Sequence, residues 1–264
     1  MKSRKLLDKI RFSLLVTTVV SAYAVSYKLI VKTKEVKSLF SGLLFLFEFF
    51  SLFYLVLTNI RRGYVDYVLV DSSLGKVRLS QRYCRTCNHY KPERTHHCST
   101  CDRCIKKMDH HCMWMSVCVN YDNHGDFIRF IFFTALSNLY LSLCYFYNLF
   151  LFYSKDIKLS TPCLTLMCCF FLISLALWVI PFLLLRIQMK LILRNMTFIE
   201  GLTYSDYDLD GNPQVCERYS KGTFENLVDV FGPAKYLFLW KPSGDGISYS
   251  TEVFIPESLY YEYV

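Results

Sequence analysis

Twelve consecutive residues, Cys101-Asp-Arg-Cys104-Ile-Lys-Lys-Met-Asp109-His110-His111-Cys112, combine soft metal ligands with the parts of a nucleophilic centre. They lie in a stretch from Cys84 to Cys118 that holds seven of the chain's 12 cysteines, and all 6 histidines fall between His89 and His124. Thiolates and imidazoles bind zinc tetrahedrally, and a Cys-x2-Cys spacing lets both thiolates reach one ion. Two half-patterns interleave here: Cys84-x2-Cys87, then His97, then Cys104; and Cys98-x2-Cys101, then His111, then Cys118. Two closed sites with a histidine in each would leave one cysteine over. Counting alone does not say which cysteine that is, or whether His96 or His97 binds, and it excludes neither His89 nor His124. A disulfide framework leaves the histidine clustering unexplained and does not suit a reducing cytosolic location.

The segments that must position this island are apolar. Hydrophobic residues make up 53 % of the 264 and aromatics 17 %, both high for a soluble protein. The apolar residues come in blocks. Phe12 to Ser26 carries no charge, Ser38 to Ile60 only Glu48, Phe127 to Tyr153 only Arg129, and Cys163 to Leu185 none. A bilayer core takes about 20 apolar residues per helix, so four transmembrane helices are expected, the first reaching about Val31. Basic residues before it and Ala22-Tyr23-Ala24 within it also suit a signal peptide, but apolar character continues past that cut. Pro181 should kink the fourth helix.

The expected fold class is an all-α polytopic membrane protein with a small two-zinc cysteine-rich domain between helices 2 and 3. Its parts are residues 1–60 (N-terminus and helices 1 and 2), 61–126 (zinc domain), 127–185 (helices 3 and 4) and 186–264 (tail). Four spans put both termini and the island on one side, with Lys2, Arg4, Lys5, Lys9, Arg11, Arg61, Arg62, Arg186, Lys190 and Arg194. The other side holds Lys32, Lys34, Lys37, Lys155 and Lys158. Positive residues favour the cytosol, so the island and both termini are expected there. The net charge of +8 is assigned to contact with anionic lipid of the bilayer, not to nucleic acid.

Asp109-His110-His111-Cys112 within a run of Cys-x2-Cys knuckles resembles the DHHC-type protein S-acyltransferases, the palmitoyltransferases. The likeness continues through Lys91-Pro92, Arg94, His96-His97-Cys98, Trp114, Cys118, Asn123 and Phe127, and the four-helix layout matches as well. It implies two structural zinc ions, one on Cys84, Cys87, His97 and Cys104, the other on Cys98, Cys101, His111 and Cys118. Cys112 is then the cysteine outside the metal sets. The implied reaction takes a fatty acyl group from acyl-CoA (palmitoyl-CoA) onto Cys112 and passes it to cysteines of membrane-associated proteins. A multi-pass endomembrane protein of the endoplasmic reticulum or Golgi is the corresponding expectation for location.

The residues around Cys112 support that chemistry on their own. A thiolate is the attacking species; His110 can accept the thiol proton, and Asp109 can hold the imidazole in the required tautomer. Trp114 matches a family position beside the acyl chain, and Phe130, Phe132, Phe133 and Tyr140 of the third span either line an acyl cavity or simply pack. The pattern also departs from the family. Met113 replaces the usual proline, Ser116 and Val117 the usual asparagines, Asn120 the usual glycine, and Phe198 the second threonine of a Thr-Thr-x-Glu motif that supports the active-site segment.

In the tail, Gly222-x3-Asn226-x3-Val230-Phe231-Gly232 resembles the family's C-terminal motif, whose asparagine packs on the membrane domain, and an amphipathic stretch runs from Phe224 to Trp240. Asp206-x-Asp208-x-Asp210-Gly211-x5-Glu217 has EF-hand spacing, but Pro213 and the lack of a second loop favour an acidic turn. Asn195-Met196-Thr197 is a glycosylation sequon on the expected cytosolic side. Glu48, near mid-span, is expected to hydrogen-bond a Tyr, Ser or Asn of another helix, with a functional role as the alternative. A zinc scaffold without turnover is the second reading. A membrane RING-type ligase is disfavoured, because a RING ends in a Cys-x2-Cys knuckle and this island ends in Cys112-x5-Cys118.

Overall fold

The computed structural model describes residues 37–67, 79–154, 161–203, 219–233, 244–247 and 249, with Ile10 and Ser13. The first span, the signal-peptide alternative, the EF-hand-like turn and the chain from 234 to Trp240 lie outside these residues. Elements in chain order are α1 (Lys37–Ile60), β1 (Leu79–Cys84), β2 (His89–Pro92), β3 (His96–Cys98), β4 (Arg103–Ile105), β5 (His110–Cys112), β6 (Val117–Val119), α2 (His124–Ser154), α3 (Thr161–Leu193), α4 (Phe198–Thr203) and α5 (Thr223–Phe231). Among the described residues, three helices are long and apolar enough to cross a membrane, over Gly42–Ile60, His124–Leu151 and Leu164–Leu193. The all-α expectation holds for these spans and fails in the island, which forms three two-stranded sheets, β1-β2, β3-β4 and β5-β6. Each metal knuckle is a tight turn, and a tight turn between two short runs is a hairpin.

The chain divides into two compact units. The first comprises residues up to Arg61, Cys112–Val117 and Asp126–Ile187. Within it, Leu44 packs with Leu141 and Tyr145, and Phe170 and Phe171 of α3 close on this cluster. The polar groups of these helices find one another, as an apolar environment demands. Ser137 Oγ donates to Glu48 Oε1 at 2.7 Å, and Ser51 Oγ lies 2.8 Å from Thr134 Oγ1. Glu48 thus meets a serine of another helix. Arg61 Nη1 donates to Asp126 Oδ2 at 2.6 Å, joining the chain just after α1 to the first turn of α2. Phe133 stacks on Phe50 at 5.0 Å and Tyr140 meets Phe47 edge-on at 5.9 Å, which is helix packing; Phe132 is exposed. Pro181 lies inside α3 without ending it.

The second unit comprises Arg62–His111, Cys118–Gly125 and the chain from Gln188 onward. Its apolar centre is small: Cys98, Ile105, Met108 and Cys118, with Ile199 against them. The start of α2 is fixed here by two asparagines. The Asn120 carbonyl accepts the His124 N–H at 2.9 Å, and Asn123 Oδ1 accepts the Asn120 N–H at 2.8 Å. The end of α3 runs eight residues past the apolar block that ends at Leu185. It stops in a Schellman motif: Met196 N–H reaches the Leu191 carbonyl and Asn195 N–H the Ile192 carbonyl, each at 2.9 Å. That motif needs a left-handed residue at the turn, and Asn195 supplies it with φ 49.

Candidate active site and metal clusters

The cysteine hairpins repeat one local structure. Cys87 N–H points at Cys84 Sγ and Cys101 N–H at Cys98 Sγ, both at 3.4 Å. The residue after each knuckle, Asn88 and Asp102, is left-handed at φ 60 and 59, a conformation that Asn and Asp tolerate. Each turn is closed by a backbone bond, Asn88 N to Cys84 O at 2.8 Å and Asp102 N to Cys98 O at 2.7 Å.

These turns bring two sets of ligand atoms together: Cys84, Cys87, His97 and Cys104; and Cys98, Cys101, His111 and Cys118. In each set all ligand atoms lie within 4.8 Å of one another. His97 Nδ1 is 3.5, 3.4 and 4.0 Å from the sulfurs of Cys84, Cys87 and Cys104. His111 Nδ1 is 3.5, 3.6 and 3.4 Å from those of Cys98, Cys101 and Cys118. A tetrahedral zinc ion with ordinary bond lengths separates a sulfur from a nitrogen by about 3.5 Å. The donor sets fit such an ion in both places. His96, His89 and His124 belong to neither set.

The period behind this arrangement was not read from the sequence. Cys84, Cys87, His97 and Cys104 reappear fourteen residues later as Cys98, Cys101, His111 and Cys118. A further step of the same length reaches Cys112, Met115 and Ser116, and Ser116 is left-handed at φ 59 like Asn88 and Asp102. Cys112 therefore holds the first knuckle position of a third hairpin whose second cysteine is replaced by Met115. Gly125 and Phe132 fill the two remaining ligand positions of the same step, so Cys112 has no partners for a third metal set. Self-comparison at a fixed offset would have exposed it.

Asp109, between β4 and β5, is 0 % exposed. His110 Nδ1 donates to its Oδ2 at 2.8 Å, Gln188 Nε2 donates to the same oxygen at 2.9 Å, and the Phe198 N–H donates to Oδ1 at 2.6 Å. Burial raises the carboxyl's pKa; the His110 hydrogen bond, the charges of His124 and His110 and the Phe198 N–H outweigh it, and the result is about 2. The carboxylate is ionised at neutral pH and accepts only, which leaves His110 Nε2 as an acceptor. In β5, alternate residues share a face. His111 goes to its metal set, and His110 goes to Asp109 on the opposite side of the strand. Met113 and Trp114 occupy the turn that follows, Trp114 65 % exposed.

The departure at Phe198 is harmless to this support, because the contact with Asp109 comes from the main chain and not from a side-chain hydroxyl. The residues of α4 and its approach are themselves held. Glu200 Oε2 accepts the Thr197 N–H at 2.8 Å, and Arg94 grips Glu200 with two bonds, Nε to Oε1 at 2.7 Å and Nη2 to Oε2 at 2.6 Å. Burial lowers the Arg94 pKa and raises that of Glu200; the paired charges and hydrogen bonds reverse both. Arg94 also donates to Asn195 Oδ1 and its carbonyl, and lies over the Tyr219 ring at 4.2 Å. Asn195 is buried and engaged by Arg94, Lys107 and the Tyr219 carbonyl, which leaves no room for a glycan. Lys107 donates to Asn195 Oδ1 at 2.8 Å, and burial, with help from the Arg94 charge, takes its pKa down to about 7.

Asn226 of α5 is buried and donates to the Leu193 carbonyl at 2.9 Å at the end of α3, so it caps a membrane-length helix and is not solvated. Neither this asparagine's partner nor Gln188 was identified from sequence. Gln188 sat beyond the apolar block and carried no motif.

Residues 78–205 match the DHHC palmitoyltransferase family. A protein named probable protein S-acyltransferase 13 from Arabidopsis thaliana is 32 % identical over 159 residues, which cover 58 % of this chain and 49 % of the relative. The palmitoyltransferase ZDHHC20 of Bos taurus is 32 % identical over 199 residues, covering 74 % of this chain and 52 % of the relative. The chain thus spans about half the length of these curated relatives. The matched segment contains both metal-ligand sets, the Asp109–Cys112 run and α4. The three apolar helices among the described residues are those of a membrane protein, and by its residues and its relatives the segment 78–205 of this chain belongs to the DHHC palmitoyltransferase family.

Proposed function

We propose that this chain is a protein S-acyltransferase that moves a fatty acyl group from acyl-CoA, with palmitoyl-CoA as the reference donor, onto Cys112 and then onto cysteines of membrane-associated proteins. One observation carries the reading. Buried Asp109 accepts a hydrogen bond from His110 Nδ1 at 2.8 Å, and His110 stands two residues before Cys112 in the chain.

In the first step the Cys112 thiol gives its proton to His110 Nε2 and the thiolate attacks the thioester carbonyl carbon. The carbon–sulfur bond to CoA breaks, and the departing CoA thiolate takes the proton back from His110. In the second step a substrate cysteine gives its proton to His110 and attacks the acyl carbon, and the Cys112 thiolate leaves and is reprotonated. One thioester replaces another in each step, so the chemistry is close to isoenergetic and the protein's task is positioning and thiol activation. Asp109 stabilises the imidazolium that forms in each step.

Two zinc ions on the Cys84 and Cys98 sets would be structural, with no open position for substrate. They would hold the hairpins that carry β5. The membrane-length helices suit a donor whose chain lies in the bilayer, and Trp114 next to the nucleophile is the proposed acyl contact. Four spans with the hairpins and both termini in the cytosol, on an endomembrane, complete the proposal.

The test is purified protein with labelled palmitoyl-CoA, followed by hydroxylamine, which cleaves thioesters. A hydroxylamine-labile label that vanishes in Cys112→Ser is expected, with two zinc ions per chain in both proteins. Labelling undiminished in Cys112→Ser refutes the nucleophile. A folded two-zinc protein with no label at all supports the scaffold reading.

A further inference from the structure

Gln188 lies near the end of α3, in a helix that is otherwise apolar over most of its length, and it is 1 % exposed. A glutamine so placed needs partners for both ends of its amide, because a buried polar group without a hydrogen bond is costly. It has them. Nε2 donates to Asp109 Oδ2 at 2.9 Å, and Oε1 lies 2.9 Å from His124 Nε2. The amide's direction follows from chemistry: a carboxylate only accepts, so the NH2 end faces Asp109, and the carbonyl end then requires a proton on His124 Nε2. His124, in the first turn of α2, is also buried and is held in place by the Asn120 carbonyl on its N–H. The result is one line of hydrogen bonds from His124 through Gln188 and Asp109 to His110.

We infer that Gln188 is a positioning residue for the acyl transfer, acting through Asp109: backed by His124, it sets the rotation of the carboxylate that keeps the His110 proton on Nδ1. This rests on the nucleophile and base proposed above. The other support of Asp109, the Phe198 N–H, reaches Oδ1 and leaves the carboxylate able to turn about that contact. Gln188 bonds the same oxygen that holds His110, so it fixes the turn that matters. An uncharged amide is also the side chain that does this without competing for charge. A second carboxylate here would share a proton with Asp109 and weaken its hold on His110.

The test uses the full-length protein in lipid nanodiscs. One readout is the rate of Cys112 alkylation by iodoacetamide against pH, with Cys112→Ser subtracted; it reports the thiolate and does not depend on acyl transfer. The other is the single-turnover rate of Cys112 acylation from palmitoyl-CoA, and zinc content checks the fold. Gln188→Met keeps the length and removes both hydrogen bonds. It should retain two zinc ions, move the alkylation midpoint to higher pH and slow acylation by about 10- to 100-fold, the usual cost of losing an outer-shell partner. Gln188→Glu should slow it further at neutral pH. His124→Leu, which removes only the far donor, should shift the profile in the same direction, and His124→Gln, which restores a donor, should return it to wild type.

A wild-type alkylation profile and acylation rate in zinc-replete Gln188→Met overturn the inference. Should that variant lose zinc, an unshifted profile in His124→Leu overturns it instead. If wild-type protein forms no Cys112-dependent label, the acyltransferase reading fails while the alkylation profiles still decide the role of Gln188.

Discussion

His110 and His111 are adjacent residues of one type on one strand, and they are held by opposite means. His111 Nδ1 sits among three sulfurs at 3.4 to 3.6 Å. His110 Nδ1 sits on a carboxylate that is itself gripped by an amide and a main-chain N–H. The strand's alternation sends neighbours to opposite faces, so two identical side chains reach two different supports. The supports also differ in strength. A structural zinc site is worth on the order of 10 kcal/mol or more in small domains, and a hydrogen bond to a charged group about 1.5–3 kcal/mol. With zinc in that set, the metal side would decide whether β5 forms, and the hydrogen-bonded side where the His110 proton sits.

The largest effect should come from the metal side. Removing metal with a strong chelator is expected to cost on the order of 10 kcal/mol and to abolish amide protection across the β1–β6 hairpins in hydrogen exchange. Protection that survives chelation would break the metal half of the comparison. Next comes the carboxylate. Asp109→Asn keeps the shape but offers His110 an N–H in place of an acceptor, so Cys112 acylation should fall by about 10²- to 10⁴-fold with two zinc ions retained. A parallel loss of zinc would show that the two sides are not separable.

Arg94→Lys tests the far end of the hydrogen-bonded side. It exchanges a two-pronged grip on Glu200 for a point charge in a buried site, at a cost of about 3 kcal/mol read from denaturant unfolding of zinc-loaded protein. An unchanged midpoint would mean that α4 is held by other contacts. The smallest effect is Phe198→Thr. Because residue 198 supports Asp109 through its N–H, restoring the family's threonine should change stability by less than about 0.5 kcal/mol and leave the acylation rate near wild type. A large gain in rate would show that a hydroxyl is missing there.

The metal side was legible in the sequence to an unusual degree. Coordination chemistry dictates ligand type and spacing, and a knuckle is local, so Cys84-x2-Cys87 and Cys98-x2-Cys101 announce themselves. What remained open, His96 or His97 and which cysteine is left over, depends on strand alternation and on the fourteen-residue hairpin period. Neither is a property of any single residue. The apolar blocks likewise revealed three helices, but not that α3 continues to Leu193, because charge interrupts hydropathy without interrupting a helix. The hydrogen-bonded side was mostly hidden. Gln188, Asn195 and the Arg94–Glu200 pair are separated from Asp109 or from each other by some eighty residues or more of chain. Side chains such as these have many partners in principle, and only the fold selects one.

By itself the sequence determined the donor chemistry, the membrane-length segments and the Asp109-His110-Cys112 group, because these are set by residue type and short spacing. The tertiary structure alone decided that His110 meets Asp109 while His111 meets sulfur, and that a glutamine from α3 and a main-chain N–H before α4 hold the carboxylate between them. The reason is physical. Coordination and hydropathy act over a few residues, but burying a charge requires several donors at once, and only distant segments of a folded chain can bring them to one point.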